Sequence, residues 1–137
     1  MGRSPGSKKL FFGSALAVCF LAASLQVSAH HGVAGYDLGK TITLTGTVTR
    51  FDWENPHVVV YLDAKEEAAP VQHWSVEFAA PLLMRRLGWS GDSMKPGDRV
   101  VAEVHPSKNG APVGISGSAT MLLKFVVNGA TLPYMHK

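Results

Sequence analysis

TITLTGTVTRFDWENPHVVVYLD, residues 41–63, reads as two long antiparallel strands joined at Asn55-Pro56. In its first half Ile42, Leu44, Gly46 and Val48 fall on one face and Thr41, Thr43, Thr45, Thr47 and Thr49 on the other, the period-2 pattern of a half-buried strand. After Arg50 the apolar parity moves to Phe51 and Trp53. A phase change of one residue is what a bulge or sharp bend produces, and Gly46 gives a second point at which the strand can coil. Residues 57–63 are rich in Val and Tyr, and Pro56 precedes them where no ladder N–H is needed. A long, bent first strand paired to a second implies a small closed barrel.

Working outward, residues 71–78 give a third strand with Trp74, Val76 and Phe78 facing in and His73, Ser75 and Glu77 facing out. Residues 80–87, APLLMRRL, place Pro81 in a first helical turn, Leu83 and Leu87 four apart on one face, and Gly88 as a stop, which predicts a short helix. The turn Lys95-Pro96-Gly97-Asp98 delivers a fourth strand over 99–105, its face formed by Val100, Ala102 and Val104. Residues 106–118 are Gly- and Ser-rich and are expected to form a mobile loop; a last strand is expected over 119–127, then Asn128-Gly129 turning a hairpin into 130–134. A helix between the third and fourth strands of a five-stranded set predicts an all-β, OB-like barrel with a C-terminal hairpin, in which closure removes exposed edges. The rival is an open or sandwich-like sheet.

Residues 1–29 have the form of a secretory signal. Arg3, Lys8 and Lys9 make a basic start, an Ala-rich apolar run follows, and Val27, Ser28 and Ala29 offer a small residue at the cleavage position. A periplasmic or secreted product is therefore expected, with residues 30–40 as an irregular arm and 41–137 as a single barrel domain. Cleavage after Ser24 is the alternative. Removing residues 1–29 takes away three of the 13 basic residues and none of the 10 acidic ones, so the formal charge falls from +3 to zero. A neutral mature chain argues against nucleic acid as a partner. Cys19 is the sole cysteine and lies in the leader, which excludes disulfides, thiolate metal sites and thiol catalysis from the mature chain.

The HHG start, the YD that follows, LTGTV, WENPH, the WSVEF strand, the helix around residues 83–88 and KPGD together resemble a family of small exported bacterial proteins of unknown function, DUF6152. The resemblance implies export and a compact β domain, and implies no reaction. The tail MLLKFVVNGATLPYMHK is more hydrophobic than the family pattern.

The chemistry available to the mature chain lies in its six histidines, at 30, 31, 57, 73, 105 and 136. If cleavage follows Ala29, His30 presents both its α-amino group and its ring to one ion. Such a chelate, completed by His31 or by a distant imidazole, suits Cu(II), which favours nitrogen ligands in a square-planar field. The plainer reading is that His30 and His31 are polar residues tolerated beside a cleavage site. His57 is the candidate further ligand, because Asn55-Pro56 fixes a turn just before it; in the plainer reading Asn55 caps that turn and His57 bonds to backbone. Tyr36 and Asp37 could orient a ligating imidazole, or could pack and cap locally. His73 and His105 fall on outward strand positions and are expected to be solvated. Trp53 and Trp89 are left as candidates for a ligand-stacking face. No nucleophile elbow, phosphate-binding glycine loop, HExxH or paired carboxylates occur, so no enzyme is expected. Two functions stand: a copper-binding protein using His30, His31 and His57, or a periplasmic interaction module that binds a protein or small ligand without a metal.

Overall fold

The first strand, β1 (Ile42–Asp52), pairs with β2 (Val59–Glu66) and carries the irregularity that its parity demands. Val48 lies opposite Leu62 and Arg50 opposite Tyr61, so Thr49 is the extra residue of a bulge. Before it Ile42, Leu44 and Val48 point inward; after it Phe51 and Trp53 pack against the core. The computed structural model describes residues 1–2, 32–117 and 122–134. The chain divides into two compact units, Met1–His30 and His31–Lys137, and the strands of the described residues lie in the second.

After β2 come β3 (Gln72–Glu77), a helix α1 (Pro81–Arg86), β4 (Arg99–Pro106), β5 (Val113–Ile115), β6 (Phe125–Val127) and β7 (Ala130–Thr131). Pairing runs β1-β2-β3-β5-β4 and returns from β4 to β1, which closes a five-stranded barrel; β3 and β5 are parallel and the other neighbours antiparallel. This is the expected architecture, with the helix between the third and fourth strands. Leu44, Thr45, Gly46 and Thr47 of β1 pair with β2 on one edge and β4 on the other. Gly46 makes that double pairing possible, since a Cβ there would lie 2.2 Å from the Asp63 carbonyl oxygen and 2.5 Å from the Ala64 Cβ.

The core is Leu44, Val48, Val60, Leu62, Val76, Val100, Val104 and Phe125, with Met84 of α1 and Trp89 at one end. Each fully buried aliphatic side chain contributes about 1.5 to 3 kcal/mol relative to exposure. Helix α1 has no side-chain cap; it starts at Pro81 after the extended Ala80 and stops at Gly88, whose φ of 92° is the left-handed turn a C-terminal glycine provides.

Two expectations are corrected here. The stretch 106–118 is not a free loop, because it contains β5, the strand that closes the barrel between β3 and β4. Gly114 of β5 faces inward, and a Cβ on it would stand 3.1 Å from the side chain of Val104. The strand expected over 119–127 is represented among the described residues by β6, which flanks β4 outside the closed ring and turns into β7. Val100, Val101 and Ala102 pair with β6, while His105 and Pro106 pair with β5, so two strands share one edge of β4.

Candidate functional site

An arm over residues 32–41 lies along the β4–β5 connection. Its first turn, Val33–Gly35, is 3-10, and Tyr36 then makes an antiparallel bridge to Ser107. The Asp37 amide donates to the Pro106 carbonyl at 2.8 Å, the Lys108 amide to Gly35 at 3.0 Å, and the Lys108 Nζ to Ala34 at 2.9 Å. Below this arm Val59, Glu77, Ile115 and His105 are partners in a row across β2, β3, β5 and β4. Their parity puts them on the outer face, yet Ile115 and His105 are only 5 % and 8 % exposed. The imidazole of His105 donates from Nδ1 to the Lys40 carbonyl at 2.8 Å, which ties the end of the arm down. The expectation that His105 is solvated is therefore wrong: the position faces outward, and the end of the arm covers it.

Further along the row, the Nδ1 of His57 lies 2.5 Å from the Glu77 carboxylate. The side chains are 47 % and 31 % exposed for His57 and Glu77, which leaves the pair accessible without being fully hydrated. His57 owes its position to its neighbour: the Val58 amide donates to Ala79 at 3.1 Å, its carbonyl accepts from Phe78 at 2.8 Å, and its side chain is buried. Asn55, exposed, and Pro56 precede His57 through a cis peptide bond. Tyr36 belongs to the same cluster, for partial burial and then the negative charge of Glu77 raise its phenol pKa above the usual value. Thus Glu77 of β3 pairs with His57 of the β1–β2 connection, and its charge reaches Tyr36 of the arm.

The remaining residues singled out from sequence are dispersed. His30 and His31 lie outside the described residues. Asp37 accepts from the Gly39 amide at 3.1 Å, the local turn cap. Trp53 is half-buried, 5.9 Å from the ring of Phe51, with the Arg85 guanidinium 5.9 Å over it and Gly91 against it. Trp89 is 2 % exposed, donates from its indole to the Pro133 carbonyl at 2.7 Å, and packs edge-on to Phe125. It is a core residue and presents no open face. His73 is solvated as expected and pairs through Nδ1 with Asp63 at 2.5 Å. Sequence parity gives Glu77 only an outward face; the signal that joins it to His57 is the register Val59 to Glu77, which places it beside the start of β2.

Among the described residues no group of three or more His, Cys, Asp or Glu converges as a complete metal cluster, and no helix is long and apolar enough to cross a membrane. A separate groove of about 440 Å³ runs over the outer face of β1, β4 and β6, lined by Thr45, Thr47, Arg99, Val101, Val126 and Gly129. A family described as a family of unknown function, DUF6152, matches residues 17–118, which take in the arm, the five barrel strands and α1. No curated protein and no solved structure matches the chain.

Proposed function

The chain belongs to the DUF6152 family, whose function is unknown, and from that premise we propose that it is an exported, non-enzymatic barrel that holds a metal ion, copper preferred, through His30, His31 and His57. The observation that supports this reading is the attachment of the arm through the Tyr36–Ser107 bridge, with Tyr36 within the field of Glu77, the partner of His57. His31 is five residues from Tyr36, and five residues of extended chain reach at most about 17 Å. A mature chain that begins at His30 would carry its new amino group and two imidazoles immediately before the arm in sequence. Cu(II) takes the nitrogen donors this offers: the α-amine and ring of His30, with His31 or His57 completing a planar set. Tyr36, held as a neutral phenol by burial and by Glu77, supplies shape to this corner rather than a phenolate.

The test is the intact mass of the exported, untagged protein in native spray, with and without Cu(II). The expected result is a chain starting at His30 with one copper retained against a mild chelator. A chain starting at His30 that retains none overturns the reading.

A second reading, a module that binds a small ligand without a metal, is favoured by the groove between β1, β4 and β6. Its wall carries the Arg99 guanidinium, which makes no ion pair among the described residues, beside the apolar Val101 and Val126. That combination suits a small carboxylate with an apolar body. Shifts of the Thr45, Thr47 and Val101 amides on titration with such an acid, absent in Arg99→Ala, would support it.

A further inference from the structure

We propose that Asn128 is a site of spontaneous deamidation which the folded barrel holds in check through Asp98, and that its conversion unfastens the β6–β7 hairpin from the turn before β4. The inference is independent of the metal and small-ligand readings above.

The reaction needs only the chain and water. The deprotonated backbone nitrogen of the following residue attacks the asparagine Cγ, the Cγ–Nδ2 bond then breaks, and the nitrogen leaves as ammonia with the proton the backbone gave up. Water opens the resulting succinimide at either carbonyl, giving aspartate or isoaspartate. A glycine in the following position leaves the attacking nitrogen unhindered. Of the three asparagines, Asn55 is excluded because Pro56 has no N–H, while Asn109 and Asn128 both precede glycine.

Both of these are exposed, and their hydrogen bonds tell them apart. At Asn109 the side-chain oxygen is the bonded atom, accepting from the Ala111 amide at 2.9 Å and from the Ser107 hydroxyl. A carboxylate in that place accepts the same bonds, so conversion leaves the turn intact. At Asn128 the leaving nitrogen itself is engaged. Nδ2 donates to Asp98 Oδ1 at 2.9 Å while the side-chain oxygen accepts from the Arg99 amide at 2.9 Å. The amide carbon cannot turn toward the Gly129 nitrogen without giving up these bonds. That nitrogen is otherwise open: the Gly129 amide makes no hydrogen bond among the described residues, and a Cβ there would meet nothing within 4 Å. The guard therefore lies in the side-chain bonds, of which the one to the Asp98 carboxylate is charge-assisted and the stronger.

Conversion turns this contact from attraction to repulsion. An aspartate at 128 keeps an acceptor for Arg99 but sets a second carboxylate against Asp98 where an N–H had been. Lys95 Nζ, 3.5 Å from the same Asp98 oxygen, is largely exposed and offsets little of the repulsion. Isoaspartate adds a methylene to the main chain inside a two-residue turn whose flanks, Val127 and Ala130, are paired.

Peptide mapping by mass spectrometry, after incubation at mildly alkaline pH, reads both sites in one sample as the exchange of NH2 for OH. Residue 128 is expected to convert about tenfold or more slowly in the folded protein than in the urea-unfolded chain, the population equivalent of one charge-assisted hydrogen bond. Asp98→Ala is expected to speed conversion at 128 by a similar factor and to leave 109 unchanged. Asp98→Asn, which removes the charge but keeps a side-chain oxygen, serves if the alanine variant does not fold, with a smaller expected acceleration. Asn128→Asp is expected to melt below wild type at neutral pH, and Asn109→Asp to melt with it. Equal rates at 128 in folded and unfolded chains, no effect of the Asp98 variants, or equal acceleration at 109 and 128 overturns the guard. An Asn128→Asp variant as stable as wild type overturns the unfastening.

Discussion

Asp98 and Asn128, thirty residues apart, are joined side chain to side chain: the Asn128 amide donates to Asp98 Oδ1 at 2.9 Å. The other carboxylate oxygen of Asp98 accepts from the Lys95 amide at 2.8 Å, and the Asn128 side-chain oxygen accepts from the Arg99 amide at 2.9 Å. Asn128 itself sits at φ 50°, in the left-handed region that asparagine tolerates. These bonds fasten the β6–β7 hairpin to the turn that launches β4.

The hydrogen bond from Asn128, followed by that from Lys95, holds the Asp98 carboxyl below its usual pKa. A depressed folded-state value means stabilisation that is complete above the unfolded pKa of about 3.9 and lost as pH falls through the folded value. Wild type is therefore expected to melt higher than Asp98→Asn at pH 6, with the gap closing as pH drops below about 4. Melting curves by circular dichroism over that range check it; a gap independent of pH would contradict the assignment.

Gly46→Ala is expected to destabilise the barrel by about 3 kcal/mol or to prevent folding, because its Cβ would overlap the Asp63 carbonyl and Ala64 where β1 is paired on both edges. Urea unfolding measures this. A loss under about 1 kcal/mol, the ordinary cost range of a tolerated core swap, would mean that the strands separate there more easily than the geometry allows.

His105→Ala should free the end of the arm at Lys40 and cost about 1 to 2 kcal/mol, the worth of one buried hydrogen bond with its lost packing. Hydrogen exchange localises the effect. The amides of Asp37 and Lys108, bonded to Pro106 and Gly35, should exchange faster, while β1–β2 amides remain protected. Unchanged exchange at Asp37 would show that the bridge at Tyr36 holds the arm alone.

Trp89, buried and bonded to Pro133, should emit at short wavelength and resist iodide when it is the sole tryptophan, in Trp53→Phe with Trp74→Phe. Trp53 alone should be quenched more readily, since only part of its surface is covered. Ready quenching of Trp89 would return it to consideration as a ligand-stacking residue.

The parity flip between Val48 and Phe51 was enough to locate the bulge, because a strand with one buried face writes its phase into local sequence. Pro81 and Gly88 marked the helix ends for an equally local reason. The barrel-closing β5 was hidden because it is three residues long with glycine at its centre, so no alternation could show. His105 exposes a different limit: parity reports which face a residue takes, and says nothing of what later lies on that face. The link from Glu77 to His57 depends on cross-strand register, which no window of neighbouring residues contains.

The pairing of β1 with β4 also bears on how the chain assembles as it emerges N-terminus first. Ile42 must wait for Val104, and Glu77 for Ile115, so the ring is completed by late-arriving segments. Until then one edge of β1 has no partner, and such an edge is a template for association between unfinished chains. The alternate threonines at 43, 45, 47 and 49 give that waiting strand one hydrated face. The strand that waits for β4 thus presents polar side chains on its outer face while its second backbone edge is open.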